Sequence, residues 1–223
     1  MNQTYYTPTV ERVSGATMNR VLRNTYLLLS MTLLFSASMA GVAMALNWPY
    51  PGPMITLVGY FGLLFVTTRL RNSPWGIAAV FALTGFMGVT LGPIINIYLH
   101  YYGNGGEIVM MALGGTGVVF LAMSGLALTT KRDFSFMGKF LFVGILVAFF
   151  AGIANLFFHF QPLALAVSSM FVLLMAGLIL FQTQQIVRGG ETNYIMATVT
   201  LFVAIFNLFT ALLQILGIGF GRD

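Results

Sequence analysis

The sequence predicts an all-α membrane protein with seven transmembrane helices, and three observations carry that prediction. Of 223 residues, 58% are hydrophobic and only 7% are charged, whereas soluble domains average about 25% charged. A soluble fold of this size could not cover itself with so few charges. Apolar stretches close to the roughly 20 residues that a bilayer crossing needs recur seven times. Basic residues collect at the ends of these stretches and in alternate loops, the pattern of the positive-inside rule.

Residues 1–20 are polar and aperiodic. They are expected to form a mobile cytoplasmic tail ahead of a transmembrane domain over 21–218, with 219–223 as a short tail on the far side. The N-terminus lacks the apolar core and cleavage site of a signal peptide, so the first span is expected to remain as an anchor. That span covers about 24–46 and ends at a loop rich in proline (Pro49, Pro51, Pro53), where Trp48 and Tyr50 suit the headgroup level. The second span, 54–70, is short and ends at Arg69 and Arg71. Pro74 then suits the first turn of the third span, 75–99. Gly88 and Gly92 in that span have GxxxG spacing, which lets two helices approach closely. Pro93 should kink its outer end.

The fourth span, 107–130, carries Gly114, Gly115, Gly117, Ser124 and Gly125, which predict a flat face for close helix packing. No strand precedes these glycines and GxGxxG is absent, so they do not read as a nucleotide site. The fifth span, 137–160, follows the most charged loop and holds Asn155 and His159. The sixth, 163–187, starts after Pro162, and the seventh covers 194–217. Of ten Lys and Arg residues, all but Arg222 fall in the N-terminal tail or in the loops after the second, fourth and sixth spans. This distribution predicts a cytoplasmic N-terminus and a C-terminus on the other, periplasmic, side. The basic residues form no cluster, which argues against nucleic acid as a partner despite the net charge of +5.

Little chemistry is on offer inside the spans. Intramembrane ionisable groups are costly and usually functional, yet every Asp, Glu, Lys and Arg sits at a span end, in a loop or in a tail. There is no cysteine, no HExxH and no GxSxG. Five scattered carboxylates do not make a hard-metal cage. The sequence therefore suggests neither an enzyme nor a cofactor. His100 and His159 lie near the outer face, where they read as interfacial residues, with an outer-face pH sensor as the alternative.

What the spans do contain is amides: Asn155, Gln182, Gln184, Gln185, Asn207 and Gln214. An unpartnered amide is costly in hydrocarbon, so these side chains should face protein or water. That places the sixth and seventh spans in the middle of the bundle. They are joined by a short cytoplasmic hinge that includes Arg188, Gly189, Gly190 and Glu191. Gln182 and Gln185 share one helix face, and Asn207 and Gln214 share another. Facing amides on two hinged helices predict one buried polar network, serving either as interhelical hydrogen bonds or as a hydrated centre.

Four segments resemble the Bax inhibitor family of seven-helix membrane proteins: VLRNTYLLLSMTLLFSA at 21–37, LGPIIN at 91–96, LTTKRDFSFMG at 128–138 and RGGETNYIMATVTLFVAIFNLF at 188–209. The resemblance spans nearly the whole chain and is strongest to the family's bacterial branch. It implies a fold with the seventh helix central and six around it. It also implies membrane lipid and the membrane-bound AAA protease FtsH as partners, with the chain as a modulator of that protease. The family pattern includes two buried aspartates that form a pH-sensitive latch on a cation or proton leak. Here the corresponding runs are Phe181-Gln182-Thr183-Gln184 and Leu201-Phe202-Val203-Ala204. Gln182 and Ala204 stand where the family has aspartate, so an acid-controlled leak is not carried over.

Overall fold

The computed structural model describes residues 15–221, which form seven helices. They are α1 (Gly15–Ala45), α2 (Pro53–Leu70), α3 (Trp75–Tyr101), α4 (Gly105–Thr129), α5 (Met137–Phe158), α6 (Gln161–Val187) and α7 (Tyr194–Phe220). Each is long and apolar enough to cross a membrane. The expected tail over 1–20 falls largely outside the described residues, as do 222–223. Its last residues continue α1, which starts at Gly15 rather than near residue 24. No glycine or proline between Ala16 and Ala40 stops the helix from running on past its apolar stretch.

Helix ends follow local chemistry. Pro53 occupies the first turn of α2 behind Gly52, whose φ of 89° suits glycine. Pro162 sits in the first turn of α6. α5 stops where His159 turns left-handed at φ 48°. α3 runs on through Pro93.

The tightest seam joins α1 to α3. A methyl group at Gly88 would overlap the Ser36 carbonyl, and one at Gly92 would stand 2.6 Å from the Ala40 carbonyl. The GxxxG pair is therefore where two backbones meet. The glycines of α4 behave differently from expectation. Of the four glycines expected to pack, Gly114, Gly117 and Gly125 have open space where a side chain would stand, and Gly115 alone approaches a neighbour, Leu212 of α7. α4 packs instead through Ile108, Ala112 and Thr116, which are buried.

α7 holds the centre, packed against α6, α4, α1 and α3. Phe202, Leu201, Ala204, Leu208 and Leu213 on it are essentially inaccessible. Half of its most apolar eighteen residues are buried; α3 matches it at 56%, whereas α2 has 6% and α5 has 11%. α2 rests chiefly on α3 and α5 on α6, so these two form the lipid-facing flank.

Candidate functional site

The hinge between α6 and α7 is built by two glycines and a cap. α6 ends in a Schellman arrangement: Gly190 N–H donates to the Gln185 carbonyl (2.8 Å) and Gly189 N–H to the Ile186 carbonyl (3.2 Å). Gly189 has φ 76°, which a side chain would strain. A side chain at Gly190 would run into the Gln185 carboxamide. Asn193 then caps α7, its Oδ1 accepting from Met196 N–H at 3.0 Å. Glu191 accepts from the Asn193 N–H at 2.8 Å.

From this hinge, side chains reach the other two loops on the same side. Buried Gln184 accepts from Phe134 N–H at 2.8 Å and donates to the Arg132 carbonyl at 2.7 Å. Arg188 donates to the carbonyls of Lys131 (2.9 Å) and Arg132 (2.6 Å) and forms an ion pair with Asp133 at 3.4 Å. The Ser135 hydroxyl and backbone N–H, and then the Arg188 guanidinium, hold the Asp133 carboxyl below the usual carboxylate range. Asn193 donates to the Arg71 carbonyl (3.1 Å) and to Asn72 Oδ1 (2.8 Å). Three loops far apart in sequence thus form one hydrogen-bonded plate at this end of the bundle.

The six amides do not join into one network. Gln184 belongs to the plate. Asn207, in the middle of α7, donates only to its own helix, at the Val203 carbonyl (2.8 Å). Gln214 is exposed and accepts from the buried Ser168 hydroxyl at 2.7 Å. Asn155 accepts from Phe160 N–H at 3.0 Å, closing the end of α5. Gln182 is buried and its Nε2 has no hydrogen-bond partner among the described residues. Ala204, at the second substituted position, is fully buried and apolar. His100 and His159 are both exposed and bond locally, to the Asn96 and Phe157 carbonyls. Among the described residues, only Gln184 and Asn155 find backbone atoms of loops; Asn207 bonds within its own helix and Gln214 to a serine hydroxyl of α6.

Sequence reasoning missed a second polar level just inside the plate. There the Tyr26 hydroxyl pairs with Thr183 Oγ1 at 3.2 Å, and Thr198 donates to the Thr25 carbonyl at 3.3 Å. It also missed two apolar clefts at mid-bundle. One, of about 400 Å³, lies between α2 and α5 and includes Tyr60, Phe149 and Asn207 in its lining. The other, of about 490 Å³, lies between α1 and α4 over Gly41 and Gly117. Phe206 of α7 lines both, so the central helix is the wall between them.

Comparison with known proteins places this architecture. The family model described as inhibitor of apoptosis-promoting Bax1 matches residues 18–221. An uncharacterized protein of Pseudomonas aeruginosa is 50% identical over 203 residues, 91% of each chain. A protein of Escherichia coli K12 named modulator of FtsH protease YccA is 49% identical over 207 residues, 93% of this chain and 94% of the relative. The same identity and coverage hold for the inner membrane protein YccA of Escherichia coli O6:H1.

Proposed function

This chain belongs to the Bax inhibitor family, and from that premise we propose that it is a multi-pass inner-membrane regulator that binds the protease FtsH and restrains its degradation of membrane proteins. The observation that carries the reading is the relative named as a modulator of that protease, 49% identical over 93% of this chain. It acts as a regulator rather than a catalyst. Its N-terminus is cytoplasmic and its C-terminus periplasmic, following the distribution of basic residues. The plate of three stitched loops then faces the cytoplasm, the side from which a processive AAA protease pulls.

The plate supports this reading physically. A protease that extracts helices must first part the loops joining them, and here each loop is tied to the α6–α7 hinge. The part of the 1–20 tail ahead of α1 supplies the end on which the protease closes, and the bundle behind it resists. Occupancy of the protease by a substrate it cannot readily extract slows its turnover of others.

Reconstituted FtsH with a membrane-protein substrate tests the reading. Adding this chain should slow degradation of the substrate in a dose-dependent way, and an unchanged rate at excess would overturn it. Deleting residues 1–14 should lengthen the chain's own lifetime in cells without altering its melting temperature. Equal turnover of full-length and truncated forms would remove the tail from the mechanism while leaving the binding reading to the first experiment.

The leak reading has no support in the geometry. The amides are dispersed over both ends and the middle of the bundle, and neither Gln182 nor Ala204 can titrate.

A further inference from the structure

The cleft between α2 and α5 opens on the lipid-facing flank. Its lining comes from Leu57, Tyr60 and Phe61 of α2 and from Ile145, Leu146 and Phe149 of α5, over a floor of α3, α6 and α7. The two helices touch across it through an edge-on ring contact, Phe61 to Phe149, at 5.9 Å. Its volume, about 400 Å³, lies within the range of sites that hold small apolar molecules, about 300–1,000 Å³. At this depth the surrounding medium is hydrocarbon, so the apolar surface has no hydrophobic drive to be covered by protein.

Charge at one end of the cleft decides what occupies it. Leu57, Leu64 and Arg71 recur at a spacing of seven along α2 and its C-cap, and Leu146 and Lys139 do so along α5. Residues seven apart lie on nearly the same helix face. Arg71 and Lys139 therefore sit below the cleft on the faces that line it, both exposed. A rise of about 1.5 Å per residue puts Lys139 about 10 Å from Leu146 along the helix axis, a distance an acyl chain spans. α2 has only 18 residues, so Arg71 is drawn close to the edge of the hydrocarbon.

Nearby carboxylates do not neutralise this pair. Asp133 is ion-paired with Arg188, and Glu191 forms no ion pair with Arg71 or Lys139 among the described residues. Among the described residues, the Arg188–Asp133 pair is the only ion pair. Two unpaired cations at headgroup level beneath an apolar cleft call for an anion that carries a hydrocarbon tail.

We propose that the α2–α5 cleft binds one anionic phospholipid, with an acyl chain in the cleft and the headgroup phosphate on Arg71 and Lys139. The site is independent of protease binding. Both charges serve a single lipid, which separates this arrangement from the diffuse positive charge at the cytoplasmic ends of the other helices. Arg20 and Arg23 on α1 provide the comparison, since no α1 residue lines this cleft.

Native mass spectrometry of the full-length protein, released from nanodiscs of mixed phosphatidylglycerol and phosphatidylcholine, tests it. One phosphatidylglycerol should be retained at least about fivefold over phosphatidylcholine. Arg71→Ala with Lys139→Ala should bring the two lipids to parity, whereas Arg20→Ala with Arg23→Ala should leave the preference intact. Leu146→Trp should fill the cleft and lower retention of both lipids; Ile145→Phe repeats the test should the tryptophan variant fail to fold. The proposal is overturned by equal retention in the wild type, by a preference that survives in the Arg71/Lys139 variant, or by one lost equally in the Arg20/Arg23 variant. It is overturned as well if lipid stays bound in the filled-cleft variants, or if inorganic phosphate alone displaces the phosphatidylglycerol.

Discussion

The two ends of the bundle use the same side-chain chemistry for different purposes. At the hinge end, Gln184, Arg188 and Asn193 reach across to loops whose residues lie 50 or more positions away in sequence, as in the Gln184–Phe134 bond. At the opposite end, amides make single, separate ties, some within one helix end and some between distant elements. Asn155 caps its own helix end, Asn96 donates to Asn47 at 3.3 Å, and Asn104 donates to the Phe220 carbonyl at 2.9 Å. Each of these bonds joins a different pair of segments, whereas at the α6–α7 hinge three side chains converge on two loops. The difference teaches that resistance to being pulled apart is placed at one end, the end that the proposed topology turns toward the cytoplasm. A helix terminus leaves orphan backbone groups in either case; what varies is whether the side chains that satisfy them converge from one hinge or act singly.

The sharpest way to break the contrast is Gln184→Leu. The change leaves Phe134 N–H without its acceptor in a part-buried setting, whereas the Arg132 carbonyl keeps the Arg188 donor. One orphaned donor plus the lost bonds should cost about 2–3 kcal/mol. Denaturant unfolding in mild detergent measures it, and limited proteolysis should cut the 131–136 loop first. A loss below about 0.5 kcal/mol would mean that the plate does not hold the loops. Because Gln184 and Arg188 share the Arg132 carbonyl, the double variant with Arg188→Ala should be non-additive.

At the outer end the matching change should matter less. Gln214 is exposed, and its partner Ser168 carries a hydroxyl that can turn to a carbonyl of its own helix. Gln214→Ala is therefore expected to cost about 0.6 kcal/mol, the usual size of an interhelical hydrogen bond in a membrane bundle. If the same unfolding measurement gives a loss as large as that of Gln184→Leu, the two ends are equivalent and the asymmetry fails.

How much of this was legible beforehand depended on the kind of signal. Seven spans, their order and most of their ends follow from apolar length and from Pro53, Pro74 and Pro162. The Gly88–Gly92 pair reads correctly as a seam because both glycines meet backbone of α1. Gly114, Gly117 and Gly125 of α4 look the same in sequence but face open space. In a membrane helix the lipid-facing side is as apolar as the packed side, so composition does not say which face is which. The amides were legible as groups in need of partners. The partners of Gln184 were not, because Phe134 N–H and the Arg132 carbonyl carry no side-chain signature. The clefts were hidden for a related reason: a cavity is a property of several helices together.

The smallest expected effect probes what tunes the plate rather than what holds it. Asp133 is exposed, and its ion pair with Arg188 at 3.4 Å is open to solvent screening. Its carboxyl is held low chiefly by the Ser135 hydroxyl and N–H and only secondarily by Arg188. A depressed carboxyl stabilises the fold above its unfolded-state pKa, and this contribution disappears as the pH falls through the lower, folded-state value. The stability difference between wild type and Asp133→Asn should thus be constant through neutral and mildly acidic pH. It should shrink only below the ordinary aspartate range. In a carboxyl NMR titration, Ser135→Ala should move Asp133 upward more than Arg188→Ala does. The opposite order would make the ion pair the dominant restraint on the loop, and salt should then weaken the plate measurably.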